Sequence, residues 1–441
     1  MEKFSRLVFL VIFFCCFNTG SFSQNKDAKQ ISDDELLTLV QKQTFRYFWD
    51  FAHPVSGLSR ERTNNTRLPD NEVVTFGGSG FGVMALIVGI ERGFITREQG
   101  VERMLKVLNF LDRDARHYRG IWPHWMHGTT GETVPFSRKD DGADLVETAF
   151  MFEGLLAAHQ YFIKNNNDER RIRSQINRLW REAEWDFFTR NNENVLFWHW
   201  SPNHGWSKAH QIKGHNECHI VYILAASSPT YPIKTSVYHE GWANSNTFAN
   251  GKEYYGIKLP LGTDFGGPLF FTHYSYMGLD PRGLEDRYAN YWEQMVNHTL
   301  INRQYCIENP NNYKGYGNKC WGLTASDGNK GYSAHSPQND PGVITPTAAI
   351  SSIPYTPEYS MQAMRYFYYE LGDKLWGEYG FKDAFNLTKD WFAESYISID
   401  QGPIIVMIEN YRTQLIWNLF MSHPDIQNGL KKLGFKSPHL K

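Results

Sequence analysis

A charge excess of either sign is missing from this chain. Among 441 residues, 45 Lys and Arg stand against 47 Asp and Glu, for a net charge of −2. That balance leaves no electrostatic footprint for nucleic acid, nor for an anionic membrane surface. Cysteine is scarce as well. Of five, Cys15 and Cys16 fall in an N-terminal apolar run, leaving Cys218, Cys306 and Cys320. Three thiols make one bridge at most, with Cys306 and Cys320 the nearer pair, and no Cys/His spacing suggests zinc. A Gly-x-Ser-x-Gly elbow is absent, which argues against a serine nucleophile of the α/β-hydrolase kind. Long apolar runs are also lacking. Leu7 to Phe17 is too short to span a bilayer. With Lys3 and Arg6 before it and Ser21-Phe22-Ser23 after it, this run reads as a signal peptide over residues 1–23, cleaved before Gln24. The expectation is an exported protein, periplasmic or extracellular, without membrane insertion, folded as one domain over 24–441 and monomeric. A lipoprotein anchor is the weaker reading, because no small residue precedes Cys15 or Cys16 convincingly.

What is present is helical pattern and aromatic mass. Asp33-Asp34-Glu35 opens an apolar-periodic run through Leu37, Val40, Phe45 and Phe48, and Thr96-Arg97-Glu98 resembles a capping-box start. Further helices are expected over Gly80–Ile90, Asp168–Phe188, Glu285–Tyr305, Glu358–Leu371, Ile404–Phe420 and Pro424–Leu433. Strand signals are few, chiefly Val195 to Trp200. Helices in pairs, joined by loops of variable length and with no linker between halves, predict an all-α fold. The expected form is an (α/α)6 toroid or barrel of helical hairpins with long rim loops and minor β structure, its site at one rim. Gly77-Gly78-Ser79-Gly80-Phe81-Gly82 has the glycines of a phosphate loop. It lacks a βαβ context and a following Gly-Lys-Ser/Thr, so tight helix packing is the better reading.

Carboxylates mark the candidate site. If a helix begins at Asp140, then Asp140, Asp144 and Glu147 lie at i, i+4 and i+7 and share one face that runs on into Met151 and Leu155. Clustered carboxylates push their pKa values apart, which acid/base chemistry on a neutral substrate can use. Acids in a first helical turn also simply complement the dipole. Glu217 stands between a Gly-rich approach and the apolar run Ile220 to Ala226. Partial desolvation there raises its pKa, as a general acid needs, although a helix-capping Glu would look the same. Asp400 is a further inward-facing acid. Glu409 is another, unless it pairs with Arg412 at i+3.

Aromatics make up 15% of the chain and concentrate in Gly-rich stretches between helices. One holds His124 and Trp125, a second Trp198, Trp200 and Trp206, and a third Trp321 and Asp327. Long loops in a compact domain are usually functional, and aromatic faces with Asn, His and acids suit a neutral polyhydroxylated ligand. His273, with Asp280 and Arg282, either lines a subsite or belongs to a loop locked by an Asp–Arg pair. No metal or organic cofactor is implied.

Several runs resemble a known family. Gly214-His215-Asn216-Glu217, Leu224-Ala225-Ala226-Ser227-Ser228-Pro229-Thr230, Trp321-Gly322-Leu323-Thr324-Ala325-Ser326-Asp327-Gly328 and Met407-Ile408-Glu409-Asn410-Tyr411-Arg412 are similar to the "glycoamylase-like" domain family. Its characterised bacterial members are inverting β-1,2-glucanases of glycoside hydrolase family 144. The resemblance runs from about Leu37 to Phe435. It implies an (α/α)6 barrel, hydrolysis of β-1,2-glucan or its oligosaccharides, and cleft acids at Asp140, Asp144, Glu147, Glu217 and Asp400, with Glu217 as general acid. The stretch His273-Tyr274-Ser275-Tyr276-Met277 departs from the family's usual His-Gln-Tyr-Ser-His type, and His215 stands where Tyr is often found. A hydrolase of another glucan linkage, a non-catalytic glycan-binding protein, and a phosphorylase or lyase on a similar toroid are the alternative readings.

Overall fold

Two kinds of helix organise the protein, and their burial tells them apart. The computed structural model describes residues 30–440; the expected signal peptide, with Cys15 and Cys16, lies outside them. In chain order the helices are α1 (Asp33–Trp49), α2 (Phe76–Glu91), α3 (Arg97–Arg113), α4 (Leu145–Tyr161), α5 (Asn167–Glu182), α6 (His219–Ser227), α7 (Tyr291–Glu308), α8 (Pro346–Ile350), α9 (Pro357–Tyr369), α10 (Gly372–Leu375), α11 (Ser398–Thr413), α12 (Leu415–Met421) and α13 (Pro424–Leu433). Helix α5 buries Glu169, Ile172, Ile176, Leu179 and Trp180, a single stripe at helical spacing. By contrast α2 buries every residue but Gly82, Ile90 and Glu91, and α4 every residue but His159 and Gln160. A helix apolar all round belongs inside.

The inner segments contact one another in cyclic order. Helix α2 packs on α4 and α11, α4 on α6, α6 on the 3-10 turn Tyr274–Tyr276, and α8 on α11. The Tyr274–Tyr276 segment is tied to the stretch after α8 by His273 Nε2 to Ser352 Oγ (3.0 Å) and by Tyr355 O–H donating to the Thr272 carbonyl (2.9 Å). The amphipathic helices lie against this ring: α1 on α2 and α11, α13 on α6, and α9 on α8. The expected helix-rich α/α architecture with minor β structure is what the chain adopts. At the α2–α4 crossing the backbones nearly touch. A Cβ on Gly80 would stand 2.1 Å from the Phe150 carbonyl oxygen, and one on Gly154 would stand 2.1 Å from the Gly80 carbonyl oxygen. The Gly-rich run is therefore a packing surface.

Capping explains the well-placed boundaries. Ser32 with Glu35 and Thr96 with Gln99 form capping boxes at α1 and α3. Other expected boundaries are corrected. The helix expected over Asp168–Phe188 ends at Glu182, where Ala183 is extended (ψ 110°), and a separate 3-10 turn follows over Trp185–Thr189. The acidic helix begins at Leu145, not near Asp140, because Asp144 is extended (φ −119°, ψ 109°). The helix expected from Glu285 begins at Tyr291, where Asn290 accepts from the Glu293 N–H. The helix expected over Ile404–Phe420 is two helices, broken where Gln414 turns left-handed (φ 65°).

Short strands dock the rim loops. Strands β1 (Val73–Thr75), β2 (Trp125–His127) and β3 (Thr133–Val134) form an antiparallel sheet with Thr75 opposite Trp125. Strands β4 (Ala143–Asp144) and β5 (His199–Trp200) pair with Asp144 opposite His199. The strand expected over Val195–Trp200 is thus confined to its last two residues. Cys218, Cys306 and Cys320 are buried free thiols. Among the described residues no helix is long and apolar enough to cross a membrane.

Candidate active site

The inner helices bring acids together at their N-terminal ends. Glu147 is in the first turn of α4, Asp144 caps that helix, Glu217 immediately precedes the cap of α6, and Asp400 is in the first turn of α11. Helix amides and dipoles favour negative charge there. Capping and clustering for chemistry are therefore the same arrangement.

Glu147 and Glu217 line one cavity of about 360 Å³, with His124, Trp125, Trp198 and Phe136 among its walls. Glu147 Oε2 accepts from the Gly77 N–H at the start of α2 (2.7 Å) and from the Thr75 hydroxyl (3.2 Å). Asp144 Oδ1 accepts from the Val146 and Glu147 amides (3.0 Å each) and from Trp198 Nε1 (2.9 Å). Its Oδ2 meets His124 Nδ1 at 3.0 Å, and His124 Nε2 lies 3.9 Å from Glu147 Oε1.

These contacts sort the protonation states. Burial alone would depress the His124 pKa, but the Glu147 and Asp144 carboxylates outweigh it and raise it to about 9. His124 is then an imidazolium at neutral pH, spanning two acids. Burial pushes Asp144 up, yet hydrogen bonding from His124 and the helix amides holds it below the ordinary carboxylate range. Glu147 goes the other way, since burial outweighs His124 and the Gly77 amide. The Glu217 carboxyl has no hydrogen-bond partner from another residue among the described residues; burial carries it up to about 7, and Glu147 adds to the rise. A carboxyl near 7 close to an Asp144 held below the ordinary range is the kind of division of labour that general acid catalysis uses.

The convergence of Asp140, Asp144 and Glu147 does not come from a shared helical face. Asp140 lies in a turn bridged to Ser137, before the helix. It faces Asp144 because the β4–β5 pairing brings His199 between them, with Nε2 3.2 Å from Asp140 Oδ2 and 3.7 Å from Asp144 Oδ2. Lys208 Nζ reaches Asp140 Oδ2 at 2.7 Å and His199 Nε2 at 3.3 Å. Asp140, Asp144 and His199 offer ligand-type atoms within 4.8 Å of one another. The Lys208 ammonium already stands against two of the three, so the charge a metal would supply comes from the chain itself.

Other sequence-derived candidates sit elsewhere. Asp400 is buried behind Tyr274, which lines the cavity and donates its hydroxyl to Asp400 Oδ1 (3.2 Å). Asp400 also stands close to Asp383, and burial together with their mutual repulsion raises both, Asp383 to about 7. Asp327 grips Arg62 (2.9 and 3.1 Å), which lines the cavity. Trp200 packs on Phe187 and Tyr118, and Trp206 joins Phe187 in a separate pocket that includes Tyr231. Trp321 is fully buried in the core, and His273 is buried against Ser352. Asp280 is held by Arg282 (2.9 and 2.6 Å) and His439 (2.9 Å), so this loop is locked.

Glu409 does not pair with Arg412, which goes to Asp34, Thr38 and Gln41. Its carboxylate is buried and held by Arg92 at 2.6 and 2.9 Å. Nine residues along α11 from Asp400, it is about 14 Å away along the axis. Arg92→Met should leave a buried charge unpaired and cost about 3–5 kcal/mol, with KM unchanged, as thermal melting and steady-state kinetics would show. Sequence reasoning passed over Arg62, His199, Lys208, Tyr274 and Asp383. Only His199 carried a signal, as an imidazole between two Trp in a rim loop already marked by its aromatics.

A family model described as "Glycoamylase: Putative glucoamylase" matches residues 209–424. A crystal structure of a "putative glucoamylase" from Bacteroides uniformis is 75% identical and covers 94% of this chain and 100% of that one, with a TM-score of 0.92. The chain belongs to the glycoamylase-like family. An endo-β-1,2-glucanase from Chitinophaga pinensis, solved with sophorotriose and glucose, is 55% identical, covers 93% of this chain and 100% of its own, and superposes with a TM-score of 0.91. An exo-β-1,2-glucooligosaccharide sophorohydrolase (non-reducing end) from Parabacteroides distasonis is 47% identical over 424 residues, 91% of this chain. The chain spans 58% of that protein's length.

Proposed function

We propose that this glycoamylase-like protein is an inverting glycoside hydrolase acting on β-1,2-glucan or its oligosaccharides. The observation that carries the reading is one cavity with aromatic walls lined by Glu217, raised to about 7, together with the buried Glu147. The names of its relatives supply the linkage. Glu217 donates its proton to the glycosidic oxygen as the C1–O bond breaks. A water on the opposite ring face attacks C1 and gives its proton to a carboxylate. Inversion requires the two carboxyls roughly 6.5–9.5 Å apart, leaving room for that water. Glu147 is the base in this reading, because it lines the cavity whereas Asp140, Asp144 and Asp400 are buried behind the wall. The imidazolium of His124 keeps Glu147 oriented and favours its ionised form. Trp125, Trp198 and Phe136 offer faces for sugar rings. Residues 1–23 are a leader in this reading, so the enzyme works outside the cytoplasm.

Product analysis tests the proposal. The purified protein on linear β-1,2-glucan should release reducing ends, with the α-anomer appearing first by NMR. Sophorose alone would mark exo action, and a ladder of oligosaccharides endo action. No release from β-1,2-glucan, with release from another glucan, would overturn the linkage.

A further inference from the structure

We propose that Lys208 is a positioning residue for this reaction: its ammonium is the fixed cation that pins Asp140 and, through Asp140, His199 and Asp144, sets His124 against Glu147. The inference rests on the hydrolase reading for its kinetic consequences only. The contacts form one continuous path. Lys208 Nζ is 2.7 Å from Asp140 Oδ2, which is 3.2 Å from His199 Nε2. His199 Nε2 lies 3.7 Å from Asp144 Oδ2, the oxygen that meets His124 Nδ1 at 3.0 Å. His124 Nε2 then faces Glu147 Oε1 at 3.9 Å.

Charge explains why a cation is needed at the far end. Three carboxylates share this wall, and His124 supplies one positive charge among them. His199 cannot supply a second, because burial drives its pKa down to about 3. His210, which stacks on Trp198 and His199, is likewise pushed down by burial. Asp140 is buried, and among the described residues its Oδ1 has no hydrogen-bond partner, so it is held through Oδ2. Among the described residues Lys208 is therefore the permanent cation in contact with it. The lysine arrives on a loop that is fastened a second time to the same turn, where Asn203 Nδ2 donates to Asp141 Oδ2 (2.7 Å) and Ser201 donates to Asp141 Oδ1. The Lys208 side chain keeps 30% of its surface in solvent, so small cations can reach the place it would vacate.

The test uses the full chain with Lys208→Met, Lys208→Arg and Lys208→Ala, each checked by thermal melting. In Lys208→Met, kcat should fall about 10- to 100-fold, the scale on which small misplacements at an active site act, with KM little changed. Loss of the positive charge raises the pKa of the carboxylates it faced, so the acid limb of the pH–kcat profile should move up. Lys208→Arg should restore most of kcat, and methylammonium should restore part of it to Lys208→Ala where tetramethylammonium does not. A second readout is independent of activity. Lys208 helps hold the His199 pKa down, so the NMR titration of His199 should move up in Lys208→Met. A folded Lys208→Met with wild-type kcat, acid limb and His199 titration would overturn the proposal. So would a folded Lys208→Arg as impaired as Lys208→Met. If the wild-type protein hydrolyses no glucan, the hydrolase reading fails and the His199 titration alone decides the role of Lys208.

Discussion

Glu217→Gln should lower kcat/KM on β-1,2-glucan about 10²- to 10⁴-fold, the range that a positioned general acid contributes. The substitution is nearly isosteric and removes only the proton that the glycosidic oxygen needs. Burial raises the Glu217 carboxyl to about 7, so the alkaline limb of the wild-type profile should fall near that pH. The residual activity of Glu217→Gln should lack this limb. Stability moves the opposite way. A carboxyl whose folded pKa lies above its unfolded value favours the fold fully at low pH and loses that contribution as pH rises through the folded pKa. At pH 8 the ionised Glu217 is a burden on the fold, so Glu217→Gln should melt at or above the wild-type temperature. An inactive variant that melts normally separates chemistry from misfolding. Near wild-type turnover by a folded Glu217→Gln would show that the proton comes from elsewhere.

The largest structural effect is expected at Gly80. An added Cβ would lie 2.1 Å from the Phe150 carbonyl oxygen and 2.6 Å from Met151 Cα, both backbone atoms of the opposing inner helix. Replacing Gly by Ala inside a helix ordinarily stabilises by roughly 1 kcal/mol. Here the sign reverses, because relief requires α2 and α4 to separate along their contact. Gly80→Val should cost more than about 4–5 kcal/mol, at the far end of single-substitution effects, and yield insoluble or loosely packed protein. Gly154→Val should do the same, since its Cβ meets the Gly80 carbonyl oxygen. Soluble yield, near-ultraviolet circular dichroism and thermal melting would check both. A cooperative melt close to wild type for either variant would mean that the helices can part cheaply.

Local features were legible in the sequence where their causes are local. Ser32 with Glu35 marks the start of α1, and Thr96 that of α3, because capping acts within one turn. The burial of α2, α4 and α6 follows from apolar residues on every face. Partnerships across the chain were not legible. Glu409 has Arg412 three residues away, yet it pairs with Arg92, 317 residues distant. Asp140, Asp144 and Glu147 fit a helical period, but Asp144 is extended, and a strand pairing 55 residues away draws the first two acids around His199. Trp206 and Trp321 have the residue type of sugar platforms, but the aromatic type does not say which cavity, or which core, a ring will fill. The Gly-rich run in the first turns of α2 was legible as packing. Its second role was not: the Gly77 amide holds Glu147, and a Cβ there would lie 2.7 Å from that carboxylate.

The acids rise from the ends of inner helices, while Trp125, Trp198 and Phe136 hang on the loops between them. That separation divides the molecule into parts that can change at different rates. Outside His124, Trp198 and Lys208, which themselves hold Asp140 and Asp144, loop segments can lengthen or shorten without moving Glu147 and Glu217, since both stand at the ends of helices packed on their neighbours. Editing the rest of the rim would therefore change how a saccharide is gripped, and from which end, while Glu147 and Glu217 stay where the helices hold them.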